Sequence, residues 1–517
     1  MATLPPPLRK FFQDQLRFAD ASNETIRSLL HEGDRVDISS AGKTISSAYE
    51  QLRTAAENSE EHLLLQRAVK RFFKLNIFTA RLHTTELGTE LITELVLSGY
   101  IANSSVSKKA AGHLNAITET YKKSYDTLLS VGVKRESAME WTLACLSTEV
   151  ADLIDPHSRN QALVALAYQS FLNALDKSHP QTKDNFELSL YVAVHQALLH
   201  SDIDIVRADI RSLYDISPLD TERFAAQNKE IDYIFDSRLT ARLRRLVSRR
   251  GAPFRILKGM LHDSHDLSVL LDNQAMFMDA FRQQISREYS RSSKRLNNGL
   301  IKSILFIFIT KMIIGVAIEI PYDLISRSEI AWTPLIINLL FPPLYMGLLR
   351  ASVVMPAANN ARRLMDAIQT TLFTDHIPHI PMSRERQLSP IKQLAYTIIF
   401  ALPIAALIAG LYALHFNVIQ MIIFFVFFST ASSLGFRLTS QVRELETERN
   451  HTGFFASIRD FFYMPFIIIG QWLTSKYRQF NFVGRLLDIV IELPLKAVLR
   501  LVRQWIRFLD DRREELY

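Results

Sequence analysis

Cysteine is almost absent from this sequence, which excludes two kinds of structure. Cys145 is the only cysteine among 517 residues, so one chain can form neither an internal disulfide nor a zinc site built from several thiolates. The first residues, MATLPPPLRKFFQDQLRF, contain no apolar run of secretory-signal length and no small-residue cleavage site. We therefore expect the first 290 or so residues to stay in a reducing compartment.

Catalytic signatures are also scarce. The segment Ala41-Gly42-Lys43-Thr44 resembles the end of a phosphate-binding loop, but Asp37 stands where that pattern needs glycine. We find no zincin helix, nucleophile elbow or glycine-rich dinucleotide fingerprint. A metal site would use the candidates His262, His265 and Asp266, although a solvated helix face explains them as well. The sequence thus favours a non-enzymatic role, and we expect no cofactor.

Glycine and proline are sparse between residues 8 and 295, and apolar residues recur there at helical spacing. No alternating strand pattern of useful length interrupts this periodicity. The pattern predicts an all-α fold, with a cytosolic helical bundle over residues 1–298.

Basic residues exceed acidic ones, and the formal net charge is +7. The excess clusters beside apolar segments, which favours anionic lipid as a partner over nucleic acid. The segment SRLTARLRRLVSRR predicts a helix with leucines on one face and four arginines on another: Arg238, Arg242, Arg245 and Arg249. Such a helix either packs on its own domain or lies on an anionic membrane surface. Since no aromatic platform or nucleic-acid motif accompanies it, we expect no nucleic acid.

The second half of the chain contains four apolar runs of the length that crosses a bilayer, roughly 20 residues each. They predict a transmembrane hairpin over 299–350, a cytosolic connecting segment over 351–393 and a second hairpin over 394–436. Arginines and lysines precede the first run and follow the second and fourth. Because positive residues stay on the cytoplasmic side, we expect four spans of the inner membrane with both flanking regions cytoplasmic. The short acidic loop after the first span, which begins near Glu319, would then lie outside.

Lys311 lies near the middle of the first apolar run, LIKSILFIFITKMIIGVAIEI. An ionisable group at that depth is costly, and it usually faces the protein interior and finds a partner. The candidate partners are Glu319 on the same helix and Asn338 in the second span. Two interpretations remain open: an ion or proton relay, or a buried polar clasp between the first two spans.

Small residues recur every four positions in the third span, at Ala401, Ala405, Ala409 and Ala413, and again at Ser429 and Ser433 in the fourth. Small residues let helices approach closely in lipid, so we predict that they form the packing seam of the second hairpin. Prolines 334, 342, 343 and 403 interrupt the spans, as they do at transporter binding sites and at simple kinks.

The C-terminal tail, residues 437–517, reads as a membrane-surface amphipathic segment. Its last helix places four basic residues on one face and apolar ones on the other: Lys496, Arg500, Arg503 and Arg507. The shorter apolar runs between 461 and 493 suit an interfacial or re-entrant position.

The stretches ELGTELITELVLSGY, TKMIIGVAIEIPYDL, INLLFPPL and RLLDIVIELPLKAVLRLVRQW resemble uncharacterised multi-pass proteins of reduced-genome bacteria of the candidate-phyla type. The resemblance implies a multi-pass fold and no particular activity. Our leading hypothesis is a membrane-tethered scaffold whose helical domain binds other proteins, with homo-oligomers as a further form of association. The alternatives are a transporter or channel that uses Lys311 and the broken spans, and a membrane-bound metal-dependent hydrolase.

Overall fold

The computed structural model describes residues 8–38, 46–47, 50, 63–79, 87–175, 185–263, 266–327, 329–352, 356, 358–374, 379–380, 389–447 and 461–473. These residues are helical with short connections and contain no strand, apart from one isolated bridge between Arg35 and Ser107. The predicted all-α fold is confirmed. The chain divides into two compact units between Val247 and Ser248, and each is described by itself. The predicted domain boundary after residue 298 falls within a continuous helix of the second unit.

The first unit is a helical bundle. Its helices are Leu8–His31, Leu64–Phe73 with a π-helical continuation Lys74–Thr79, Leu87–Leu97, Lys108–Ser130, Arg135–Ile154, Ser158–Ala174, Phe186–Val194 with a π-helical continuation His195–Leu199, Ile203–Leu213, Thr221–Phe235 and Arg238–Arg250.

The helix Arg135–Ile154 lies in the interior of this bundle. It is buried on most of its surface, including Trp141, Cys145 and Val150, which belong to the largest apolar cluster. Helices Lys108–Ser130 and Ile203–Leu213 pack against it. The hydroxyls of Thr142, Ser147 and Thr148 donate to carbonyls in the preceding turn of the same helix, so these buried hydroxyls are satisfied within the helix.

The second unit contains the predicted spans. Its helices are Ala252–Asp263, Leu267–Leu270, Gln274–Ile314 with the π-helical turn Gly315–Glu319 and the continuation Ile320–Arg327, then Trp332–Ser352, Ala358–Phe373, Pro390–Ala413, Val418–Arg443 and Phe461–Leu473. Four stretches are long and apolar enough to cross a membrane, namely Gln274–Ser326, Trp332–Arg350, Tyr396–Ala413 and Val418–Arg443. We call them spans 1 to 4. They are compatible with a membrane protein.

Span 1 does not end where its sequence suggests. The charged residues from Glu319 onward predicted a loop here, and Pro321 lacks a backbone N–H and would clash with the preceding turn of an α-helix. The structure instead widens the turn just before it, Gly315–Glu319, into a π-helix, and the helix continues to Arg327. Glu319 and Asp323 therefore lie on a helix, and each is only 1% exposed.

Spans 1, 2 and 4 pack against one another around a shared apolar cluster that includes Ile307, Met346 and Phe424. Span 3 reaches the same cluster through Ile404, Leu407 and Leu411. The four alanines of the predicted seam are exposed on span 3: Ala401, Ala405, Ala409 and Ala413. The contacts of span 3 with the other spans are therefore made by larger side chains. The alanines lie on the exposed face of that helix and not in its packing seam with span 4.

A group of helices at the beginning of span 1 forms what we call the collar. It comprises Ala252–Asp263, the first turns of Gln274–Ile314, Ala358–Phe373 and residues 444–447. Asn360 is central to it, because its amide donates to Tyr289 Oη at 2.7 Å and to the Leu445 carbonyl at 2.8 Å. Its oxygen accepts from both the backbone N and the hydroxyl of Thr447, each at 3.0 Å. The collar thus brings together three parts of the chain: the beginning of span 1, the segment between spans 2 and 3, and the segment after span 4.

Candidate functional site

The candidate site lies inside the bundle of spans 1, 2 and 4 and begins with an ion pair. Lys311 Nζ lies 3.1 Å from Glu319 Oε1, and the two side chains are 1% and 0% exposed. The ammonium also lies 4.7 Å from the centre of the Phe427 ring in span 4, within reach of a cation–π interaction. Apolar surroundings therefore enclose a pair of opposite charges.

The π-helical turn explains how these residues meet. In an α-helix of 3.6 residues per turn, residues eight apart point about 80° away from each other. A π-helical turn holds more residues, so Gly315–Glu319 rotates Glu319 back toward the face that carries Lys311. The turn that accommodates Pro321 is thus also the turn that forms the ion pair.

Asn338 connects this pair to the second span. Its side-chain nitrogen donates to both carboxylate oxygens of Glu319, each at 2.9 Å, and lies 3.5 Å from the backbone carbonyl of Gln420 in span 4. We call Lys311, Glu319 and Asn338 the clasp. It joins three helices through side chains that are at most 1% exposed.

Asp323 makes a second connection one turn further along span 1. Its carboxylate accepts from the backbone N–H of Ala331 at 3.2 Å and from Asn417 Nδ2 at 2.8 Å. Gln420 Nε2 donates to its two oxygens at 3.2 and 3.0 Å. These donors belong to the beginnings of spans 2 and 4, where Asn417 and Gln420 form a capping box. We call Asp323 the capping carboxylate.

The charges in this interior are compensated locally. The ion pair of Lys311 and Glu319 is neutral as a whole. Asp323 faces the N-termini of two helices, and the partial positive charge of such termini stabilises an anion. Among the described residues, Asn338 Oδ1 and the hydroxyls of Ser429 and Ser432 are buried without a hydrogen-bond partner. This arrangement therefore holds the helices together, while these three polar atoms lack a hydrogen-bond partner.

The structure brings together all three residues that the sequence singled out for mid-depth polarity: Lys311 contacts Glu319, and Asn338 reaches Lys311 through Glu319. Sequence reasoning missed Asp323, Asn417 and Gln420. A signal existed, because an asparagine followed by glutamine three residues later, just before an apolar run, is a variant of the capping-box pattern. The carboxylate it serves comes from 94 residues earlier, which local spacing cannot reveal.

The serines of span 4 face another helix. A Cβ atom on Gly470 would lie 2.0 Å from the carbonyl oxygen of Ser429 and 2.7 Å from Cβ of Ser433. The helix Phe461–Leu473 thus packs closely against span 4, and Phe466 lies 4.6 Å from Phe428 between ring centres. Along the short helix, Phe466 lies beside Phe428, and Gly470 lies beside Ser429 and Ser433, which come later in span 4. The short helix therefore runs parallel to span 4.

The basic helix Arg238–Arg250 buries its apolar face, since Leu243 and Val247 are 1% and 0% exposed. Arg238, Arg245 and Arg249 are exposed, and Arg242 is half-buried. The arginines therefore remain available to anionic groups, whereas the apolar face is already covered by protein.

The remaining candidates have different positions. His262 and Asp266 are exposed at and just after the end of helix Ala252–Asp263. The residues that the structure describes hold no group of three or more histidine, cysteine, aspartate or glutamate side chains that could bind a metal. His265, the segment 41–44 and the tail residues Lys496, Arg500, Arg503 and Arg507 lie outside the described residues.

Comparisons with protein-family models, with curated proteins and with solved structures find no match to this chain.

Proposed function

We propose that this chain is a polytopic protein of the bacterial inner membrane that anchors a helical interaction domain on the cytoplasmic face. The four apolar spans supply the anchor. Basic residues that precede span 1 and follow spans 2 and 4 support cytoplasmic flanking regions, because positive residues are retained on that side.

The observation that carries this proposal is the clasp. Its ammonium and carboxylate bind each other, and Asn338 ties them to the second span. Polar contacts between spans fix the position of helices in a medium that provides no hydrophobic force between them. A bundle closed in this way suits a fixed support for the helical unit that precedes it.

The helical unit offers a surface for a protein partner. Leu213 and Tyr214 lie at the end of helix Ile203–Leu213, and Leu219 lies in the connection that follows; they are 61%, 60% and 52% exposed. Exposed apolar side chains grouped together mark interaction sites more often than isolated ones do, and tyrosine is common at the centre of such interfaces. We call these three residues the apolar loop patch.

A photo-crosslinking experiment tests this proposal in native membranes. A benzoylphenylalanine at position 214 of the full chain should form a reproducible protein adduct, because the patch contacts the partner. The same residue at position 230, where Glu230 is exposed on helix Thr221–Phe235, serves as the matched control. Equal labelling at both positions, or no adduct at 214 under any growth condition, contradicts the proposal.

Anionic lipid headgroups are the second partner in this proposal. The exposed arginines of helix Arg238–Arg250 suit phosphate contacts, and each basic residue near an anionic surface contributes about 1 kcal/mol. Association of two copies through the exposed alanine stripe of span 3 is a form of homo-oligomer consistent with close helix packing in lipid.

A transporter is the second candidate, and one observation favours it. Asn338 Oδ1 and the hydroxyls of Ser429 and Ser432 are buried acceptors without a partner among the described residues, as a site that receives a donor or cation would require. The test is solute or ion flux into vesicles that contain the purified protein. Lys311→Met should abolish that flux, while Lys302→Met, at an exposed lysine of the same helix, should preserve it.

A further inference from the structure

The first helix, Leu8–His31, presents an unusual outer face. Its inner face packs into the bundle through Leu8, Phe12, Leu16 and Ala19, all at most 6% exposed. Phe18, however, is 75% exposed, and Phe11 is 36% exposed. A phenylalanine so open to solvent loses the free energy that burial of its ring would provide, roughly 1.5 to 3 kcal/mol.

Each of these phenylalanines follows an exposed basic residue. The pairs Lys10-Phe11 and Arg17-Phe18 are seven residues apart, which is close to two turns of helix. They therefore lie on the same side, separated along the axis by about 10 Å. Asp14 is exposed between them, so this short stretch still carries a positive charge.

We propose that this outer face of helix Leu8–His31 lies on the surface of an anionic bilayer, with Phe11 and Phe18 inserted at the headgroup boundary and Lys10 and Arg17 against lipid phosphates. Exposed aromatic rings beside basic residues on a helix otherwise held by protein are the composition of an interfacial contact. Helix Arg238–Arg250 lacks the apolar part of this composition, because its leucine face is buried. The inference rests on the proposed membrane location of the chain.

The sequence allows a direct test with the full chain. Cys145 is the only cysteine and is 1% exposed, so a fluorophore attached to Phe18→Cys reports on that position with little background. The protein would be placed in nanodiscs of phosphatidylglycerol and phosphatidylcholine with brominated acyl chains. We expect strong quenching at position 18 and little at Asp126→Cys, an exposed position on helix Lys108–Ser130.

Charge variants test whether Lys10 and Arg17 attract the helix to anionic lipid. Lys10→Ser and Arg17→Ser should each weaken the contact by about fivefold, the factor that corresponds to about 1 kcal/mol per basic residue at an anionic surface. Asp14→Lys should strengthen it, and this gain separates lipid attraction from damage to the fold. Quenching that is unchanged in pure phosphatidylcholine contradicts the proposal.

A label at Ile313→Cys, an exposed residue of span 1, separates two kinds of failure. Quenching at 313 without quenching at 18 overturns the helix contact alone, and the face of Phe18 then belongs to a protein partner. Absence of quenching at 313 overturns the proposed membrane location and this inference with it.

Discussion

Asp323 accepts two hydrogen bonds from the side-chain amide of Gln420, although 97 residues separate them in the chain. The same carboxylate receives the backbone N–H of Ala331, which precedes span 2. One side chain of span 1 thereby caps the beginnings of two other spans. This contact connects the three spans at one end of the bundle, and the clasp connects them in its interior.

Removal of the clasp ammonium should be costly. Lys311→Met leaves Glu319 as a buried charge without its counter-ion, and loss of one partner of a buried pair costs roughly 3 to 5 kcal/mol. The double variant Lys311→Met with Glu319→Gln removes both charges and should recover most of that loss. Thermal unfolding of the purified protein measures both. A double variant no more stable than the single one would show that the ion pair does not determine the stability of the bundle.

The negative charge of the capping carboxylate, Asp323, should contribute to the stability of the bundle. Asp323→Asn keeps the shape, but it turns one acceptor into a donor that faces the donors Asn417 and Gln420. An unsatisfied buried polar group costs about 1 to 3 kcal/mol, so we expect a lower unfolding temperature. Asp366→Asn is the matched control, because Asp366 is exposed on helix Ala358–Phe373. Equal unfolding temperatures for the two variants would contradict the capping role.

Gly470 should tolerate no side chain. A Cβ atom there would lie 2.0 Å from the Ser429 carbonyl oxygen, so Gly470→Ala must displace helix Phe461–Leu473 from span 4. Overpacking of this kind costs about 1 to 3 kcal/mol. Gly410→Ala in span 3 provides the control, because a Cβ atom there meets nothing within 4 Å. The measurement is thermal unfolding, and a wild-type value for Gly470→Ala would refute the close contact.

The first unit contains a buried histidine and a buried aspartate whose pKa values shift in opposite directions. His195 Nε2 lies 3.6 Å from Asp209 Oδ2, and the side chains are 0% and 8% exposed. Burial lowers the pKa of His195 from 6.5 to about 3 and raises the pKa of Asp209 from 3.8 to about 7. Between about pH 4 and 6.5 the folded pair therefore holds its proton on the carboxyl group, whereas the unfolded chain holds it on the imidazole.

The two residues should consequently have opposite effects on stability against pH. The stabilisation that the raised pKa of Asp209 provides to the folded state is present below pH 3.8 and is lost as pH rises toward 7. The stabilisation that the lowered pKa of His195 provides is present above pH 6.5 and is lost as pH falls toward 3. In the wild type the two slopes cancel. Asp209→Asn should become less stable as pH falls through this window, and His195→Gln more stable, by about 1.4 kcal/mol per pH unit. Denaturant unfolding at pH 4.5, 5.5 and 6.5 measures the slopes, and slopes of the same sign in both variants would contradict this account.

The helical class and the partners considered for Lys311 follow from sequence because they depend on local rules. Apolar periodicity without strand patterns predicts helices, and a lone ammonium in an apolar run requires a partner on its own helix or a neighbouring one. Glu319 and Asn338 were the polar residues at suitable positions, and the structure places both at the ion pair.

Other features depend on contacts between distant segments. The acidic residues after span 1 predicted a loop, but a π-helical turn lets the helix continue through Pro321, and Asp323 lies in the interior. The alanine spacing of span 3 shows that these residues share one face of the helix, but it does not show which helix packs against that face. In the structure that face is exposed. In the same way, the amphipathic pattern of Arg238–Arg250 does not show whether lipid or protein covers its leucines, and the spacing of Phe11 and Phe18 does not show that both are exposed.

The helix Gln274–Ser326 is 53 residues long, about 80 Å at 1.5 Å per residue, while a bilayer core is only about 30 Å thick. Its first turns belong to the collar, and its last turns carry Asp323. No joint interrupts it except the π-helical turn at the clasp. A force applied to the collar, for instance at Asn360 or Tyr289, would thus be transmitted along this helix. It would reach Lys311 and Glu319, which connect span 1 to span 2 through Asn338, before the helix ends beyond Asp323.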